Sequence, residues 1–149
     1  MGFYQNWQVP FCWGAVDGKH CVINCPNKSG STYFNYKGTF SIVLMAIADA
    51  NYRFVLTNIG APGRISDGGV FERSQFPTFL KNTLPKERVY LPGTNLEANH
   101  FIVGDPAFQM SLQMMKPYSG RSLTHMKAIF NYRQSRARRV HWAFNPSGE

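Results

Sequence analysis

The stretch Phe11–Cys25, FCWGAVDGKHCVINC, decides how the rest of the chain is read. Its β-branched and aromatic side chains predict a buried strand. One carboxylate, Asp17, interrupts the run. A lone ionised carboxylate in apolar surroundings is costly unless it has a partner, a metal or an exit to water. The strand therefore poses a question of chemistry as well as of fold. An Asp-Gly pair is also an ordinary strand exit, so a plain turn role stands beside the functional one.

Working outward, CPNKSGS (Cys25–Ser31) is a loop by composition. TFSIVLMAIADANYRFVLTNIG then reads as two strands, Thr39–Ala48 and Arg53–Ile59, joined by a tight turn at Asp49-Ala50-Asn51. With the first strand they predict a three-stranded antiparallel unit. APGRISDGGVF is a Gly-rich connector, and the spacing of Val70, Phe71, Ser74 and Phe79 starts a helix near Gly68 that Pro77 interrupts or ends. LPKERVYLPGTNLEANH reads as loop, and FIVGDPAF as a short buried strand that ends at Asp105 before Pro106. The clearest helix follows a Ser122 or Thr124 cap, with Met126, Phe130, Ala137, Val140 and Phe144 at the 3.6 period. The order β-β-β-α-β-α predicts an α/β fold, a mixed sheet with helices packed on it, as one domain over residues 1–149.

No apolar run approaches the ~20 residues of a membrane helix. The opening MGFYQNWQVP lacks the layout of a signal peptide, and Asn6 stands where a myristoylation signal carries Ser or Thr. Cytosol or nucleus is expected. Cys12, Cys21 and Cys25 include no C-x2-C pair and have only His20 nearby, which favours small apolar side chains in a reducing compartment over a zinc site. The net charge of +8 is unevenly spread: residues 1–105 carry nine Lys/Arg against seven Asp/Glu, while Pro106–Gly148 hold seven basic residues and no acid. That asymmetry predicts a polyanion partner. Arg133, Arg136, Arg138 and Arg139 crowd the last helix between Tyr132 and Trp142, which favours phosphate contact over a merely solvated face. Seven phosphate contacts would give a slope of log K against log salt of about −6.

Asp105 closes its strand much as Asp17 sits in or at the end of the first. Ligands gather at strand ends in open α/β sheets. If the two strands are neighbours, Asp17 and Asp105 converge and can hold one or two hard cations such as Mg²⁺. Loop capping is the plain alternative for each. No Walker loop, G-x-S-x-G elbow, H-E-x-x-H or C-x-x-C pattern occurs. His20 and His100 are each a base by chemistry, and hydrogen-bonded bystanders by the commoner reading.

The blocks GAVDGKHCVINCP, YFNYKGTFSIVLMAIADANYRF, SDGGVF, VGDPAF and KPY…GRSLT…IFNYRQSRARRV occur in that order. Together they resemble the DDE endonuclease domain of PIF/Harbinger transposases, which is found also in domesticated Harbinger-derived nucleases and ALP-like proteins. The resemblance runs from about Trp13 to Val140. It implies an RNase H-like fold in which three acids hold two divalent metals, Mg²⁺ or Mn²⁺, for two-metal hydrolysis of a DNA phosphodiester. The freed 3′-hydroxyl can later attack target DNA. By this resemblance Asp17 matches the first acid and Asp105 the second. Asp67, in SDGGVF, matches an acidic position usual in the family, and no chemical role is assigned to it.

The family's arginine-rich helix continues RRVVENAFG, with its Glu as third ligand, whereas this chain reads RRVHWAFNPSGE. Either Trp142 stands in place of the Glu, or His141-Trp142 replace three residues. Glu149 lies beyond Asn145-Pro146, and the His141 imidazole is a poor ligand for Mg²⁺. The chain also starts at the first strand, without the family's N-terminal DNA-binding region, and stops where that fold continues. A truncated copy, incomplete at its C-terminus and exposing Val140 and Phe144, is therefore expected. Two functional readings follow: a metal-dependent DNA endonuclease domain, or a catalytically inactive DNA- or protein-binding module or gene fragment. The expected partners are DNA and a separate Myb-like DNA-binding protein, and the expected location is the nucleus.

Overall fold

The computed structural model of the protein describes residues 2–139. A short helix α1 (Gly2–Trp7) leads into strand β1 (Cys12–Val22), followed by β2 (Ser41–Ala48) and β3 (Phe54–Pro62). Helices α2 (Asp67–Arg73) and α3 (Phe76–Thr83) come next, then β4 (Val89–Tyr90), β5 (Glu97–Ala98), β6 (Phe101–Val103), β7 (Met114–Met115) and helix α4 (His125–Arg138).

Five strands form one mixed sheet in the order β3-β2-β1-β6-β7. β1, β2 and β3 are antiparallel neighbours, as their apolar runs and the turn at Asp49 predict. β6 and β7 run parallel to β1 on its other side, which makes the sheet the RNase H-like one that the resemblance implied. Successive side chains of a strand point to opposite faces. Val16, Val43, Met45 and Ile47 thus bury on the face covered by α2 and α3. Cys12, Ala15, Ala48 and Val103 bury on the other, against Phe3 of α1 and Ala137 of α4. Helices on both faces explain why β1 and β2 read as near-continuous apolar runs. Cys12 is one of those buried small side chains, and all three cysteines are free thiols.

Several expectations need correction. Pro77 does not break a helix. It sits in the first turn of α3, where its missing N–H costs nothing, and the break falls before it at Ser74-Gln75. The stretch Leu84–His100 is not all loop, because β4 and β5 pair across a turn in which Leu91 N–H bonds to Leu96 O and Gly93 takes φ +74°. In α4 Met126 is 75% exposed, whereas Gln134 is fully buried beside Ala137. This helix docks through Ala137, as its period predicts, and through a polar hook beside it: Gln134 Nε2 donates to Gly104 O and Met115 O at 3.2 and 3.0 Å. Val140, His141, Trp142, Phe144 and Glu149 lie outside the described residues.

Candidate metal centre

The site is fixed by the parallel pairing of β1 with β6, in which Ala15 stands opposite Val103. Two residues further along each strand come Asp17 and Asp105. The two acids that the sequence singled out are therefore brought side by side, Asp17 in the middle of β1 and Asp105 just past the end of β6.

A third carboxylate joins them from a different element. Asp67 opens α2 directly after Ser66, whose hydroxyl caps the helix by accepting from Gly69 N–H. Two glycines let this helix start come close. A Cβ on Gly18 would lie 2.5 Å from Asp67 Oδ1, and one on Gly68 would lie 2.6 Å from Ala107 O. Gly18 thus admits the Asp67 carboxylate against the backbone of β1, and Gly68 admits α2 against the loop after Asp105. One oxygen from each of Asp17, Asp67 and Asp105 lies within 4.8 Å of the others. Sequence reasoning left Asp67 without a role. Its signal was the Ser-Asp-Gly-Gly order, a helix start whose glycines allow close backbone approach.

Crowding three carboxylates disfavours their charged forms. Burial pushes the Asp17 carboxyl up to about 6, with Asp105 and Asp67 adding to the rise; the Gly18 amide and Arg138 oppose it. Asp67 is also raised, by burial first and then by Asp105, with His20 opposing. Backbone amides already orient two of the three groups: Gly18 N–H donates to Asp17 Oδ1 at 2.9 Å, and Ala107 N–H to Asp105 Oδ1 at 2.8 Å. Asp67 Oδ1 is buried and has no hydrogen-bond partner among the described residues. An all-carboxylate donor set, a glycine-made cradle and an unsatisfied buried oxygen fit a hard divalent cation, whose charge would relieve the repulsion.

The four arginines of α4 and its C-cap divide. Arg133, Arg136 and Arg139 are exposed, and the Arg136 guanidinium lies 5.7 Å over the Tyr132 ring. Arg138 is half-buried, acts electrostatically on Asp17, and has a buried Nε without a hydrogen-bond partner among the described residues. It belongs with the acids rather than with the outer face. His100 accepts from Trp13 Nε1–H at 2.9 Å, away from the acids, as the bystander reading has it.

The family described as DDE superfamily endonuclease matches residues 16–145. The protein ALP1-like of Arabidopsis thaliana is 30% identical over 132 residues, covering 87% of this chain and 32% of that protein. The putative nuclease HARBI1 of Rattus norvegicus is 24% identical over 115 residues, covering 77% of this chain and 30% of that protein. The chain spans about a third of the length of these curated relatives. No solved structure matches.

Proposed function

The chain belongs to the DDE superfamily endonuclease family, and from that premise we propose that it is a divalent-cation-dependent DNA endonuclease domain with its cation site at Asp17, Asp67 and Asp105. The observation that carries this reading is the meeting of three carboxylates from β1, α2 and the end of β6, at approaches only glycine permits. A divalent cation bound there, singly or as a pair, supplies Lewis acidity toward a phosphodiester and an attacking water. Both Mg²⁺ and Mn²⁺ suit carboxylate oxygens, with Mn²⁺ the tighter by its place in the affinity order. The residues of the chain do the positioning. The Gly18 and Ala107 amides hold Asp17 and Asp105 in place before any ligand arrives. Arg138, at the edge of the cluster, offsets part of the negative charge of the acids. Asp67 takes the part of the third carboxylate that the resemblance assigned to the last helix.

Mn²⁺ calorimetry followed by plasmid nicking, on this chain and on Asp105→Asn, tests the reading. Asparagine can still accept from the Ala107 amide, so the turn survives while the charge goes. We expect Mn²⁺ affinity and nicking to fall by about 100-fold or more, beyond the usual cost of losing a supporting partner. An Asp105→Asn protein that binds Mn²⁺ like the parent would refute the site.

DNA is the proposed substrate and polyanion partner. Lys116, Arg121, Lys127, Arg133, Arg136 and Arg139 supply the charge, and Arg138 is discounted because it is engaged with the acids. The expected slope of log K against log salt is then about −5 rather than −6. Fluorescence anisotropy with duplex DNA across a salt series measures it, and a slope near zero would remove this surface from the reading.

A second reading, an inactive DNA- or protein-binding module, draws on the lack of any carboxylate along α4 and on the family's Glu being missing from the sequence, whether Trp142 stands in its place or His141-Trp142 replace three residues. Mn²⁺ binding without nicking would favour it. Under either reading the proposed setting is the nucleus, beside a Myb-like DNA-binding protein. Among the described residues no helix is long and apolar enough to cross a membrane.

A further inference from the structure

His20, three residues past Asp17 on β1, is tied into a buried polar chain that the cation reading does not use. Asn35 and Ser41 are 3% and 0% exposed. Asn35 Oδ1 accepts the backbone N–H groups of Lys37 and Thr39 at 3.0 and 3.2 Å, which fixes the amide so that Nδ2 must donate. It donates to Thr39 Oγ1 at 2.9 Å and to Ser41 Oγ at 2.8 Å. Ser41 Oγ lies 2.7 Å from His20 Nδ1. One lone pair of Ser41 Oγ is taken by the amide; its proton and its second lone pair both remain for Nδ1, so the His20 tautomer decides which group donates. A neutral imidazole that accepts at Nδ1 carries its own proton on Nε2.

The strand then decides where that proton faces. Val16, Gly18 and His20 share one face of β1. Asp67 packs on this face, because the absent Cβ of Gly18 is what makes room for its Oδ1. His20 is the next side chain along, about 7 Å away. Asp67 Oδ1 is the buried acceptor without a partner. Anchoring the loop before β2 accounts for Asn35 and Ser41, but it does not require an imidazole at position 20.

We propose that Asn35, Ser41 and His20 form a positioning chain for Asp67, holding the imidazole so that Nε2–H faces the carboxylate and fixes its orientation toward the cation. The electrostatic effect of His20 on Asp67 shows that the two side chains are near neighbours. The inference rests on the metal-centre reading, and His20 acts through Asp67 rather than on substrate.

Two measurements test it on the full 149-residue chain. Long-range ¹H–¹⁵N spectra in chelator at neutral pH should show His20 with its proton on Nε2; a proton on Nδ1 overturns the proposal without any cation being involved. Mn²⁺ titration then compares substitutions at one position. His20→Asn keeps a group near Nδ1 but loses the far donor, whereas His20→Gln can place an N–H near Nε2. We expect His20→Asn to weaken Mn²⁺ binding by about 10–100-fold, and His20→Gln to recover most of it. Asn and Gln variants that both bind like the parent would sink this inference alone, with the metal centre intact. Failure of the unaltered chain to bind Mn²⁺ would sink the two together.

Discussion

Replacing Asp17 by asparagine is expected to make the cation-free protein more stable at neutral pH while abolishing its response to Mn²⁺. The carboxyl is raised from 3.8 to about 6 in the folded chain, chiefly by burial. A group whose folded value is raised favours the folded state fully only below its unfolded value. That contribution is lost as pH rises through the folded value. The window is therefore about pH 4 to 6, and above it the folded chain carries an ionised group it disfavours. At ~1.4 kcal/mol per unit, the ionised carboxylate costs at most ~3 kcal/mol at pH 7. Asparagine keeps an acceptor for the Gly18 amide and removes the charge.

Saturating cation should reverse the ranking. A ligand that binds only the folded state at 1,000 times its Kd adds about 4.1 kcal/mol, more than the ~3 kcal/mol that the ionised carboxylate costs. The parent chain should gain that much from Mn²⁺, and Asp17→Asn close to nothing. Urea denaturation in chelator and in Mn²⁺ between pH 5 and 8 would show the crossover. Equal stability of the two proteins at pH 7 in chelator, or an equal gain from Mn²⁺, would count against the site. The same titration implies that Mn²⁺ affinity falls as pH drops through about 6, since a proton and the cation compete for Asp17.

Asp17 was legible in the sequence because a charge inside an apolar run is locally anomalous, and Asp105 because its strand stops at a proline. Their meeting was conditional, since the parallel pairing of β1 with β6 is a contact between residues far apart in sequence. Asp67 was hidden for a related reason. The need for Gly18 is set by a carboxylate on α2, and the need for Gly68 by a carbonyl after Asp105. A glycine whose constraint lies across the fold looks like any turn glycine. The last helix misled periodicity in the opposite sense: Met126 took an apolar position yet is exposed, while Gln134 took a polar one and is buried on two carbonyls. Side chains that hook backbone carbonyls carry no hydrophobic signal. The β4–β5 hairpin and the two residues of β7 were too short for any pattern to show.

The largest stability loss is expected from Phe108→Ala, and its functional consequence separates a supporting core from a generic one. Phe108 is 1% exposed and meets the Phe71 ring edge-on at 5.6 Å; Phe71 in turn lies 5.7 Å from Phe76. This aromatic row joins the loop after Asp105 to the helix that carries Asp67. Phe108 also packs over Gly104, where an added Cβ would meet its ring at 2.9 Å. Truncating a buried Phe to Ala costs ~3–5 kcal/mol, a large part of the 5–15 kcal/mol that holds a domain together. Phe108→Leu is the milder test, costing about 1.5 kcal/mol or less if the neighbours repack. Because it loosens the seat shared by Asp105 and Asp67, Mn²⁺ affinity should fall with it. Phe3→Leu, at a site 2% exposed on the opposite face of the sheet, is the control, with a comparable stability loss and unchanged Mn²⁺ affinity. Equal affinities for the two leucine variants would mean that the acids hold their geometry without the aromatic row, through the backbone amides of Gly18 and Ala107 alone.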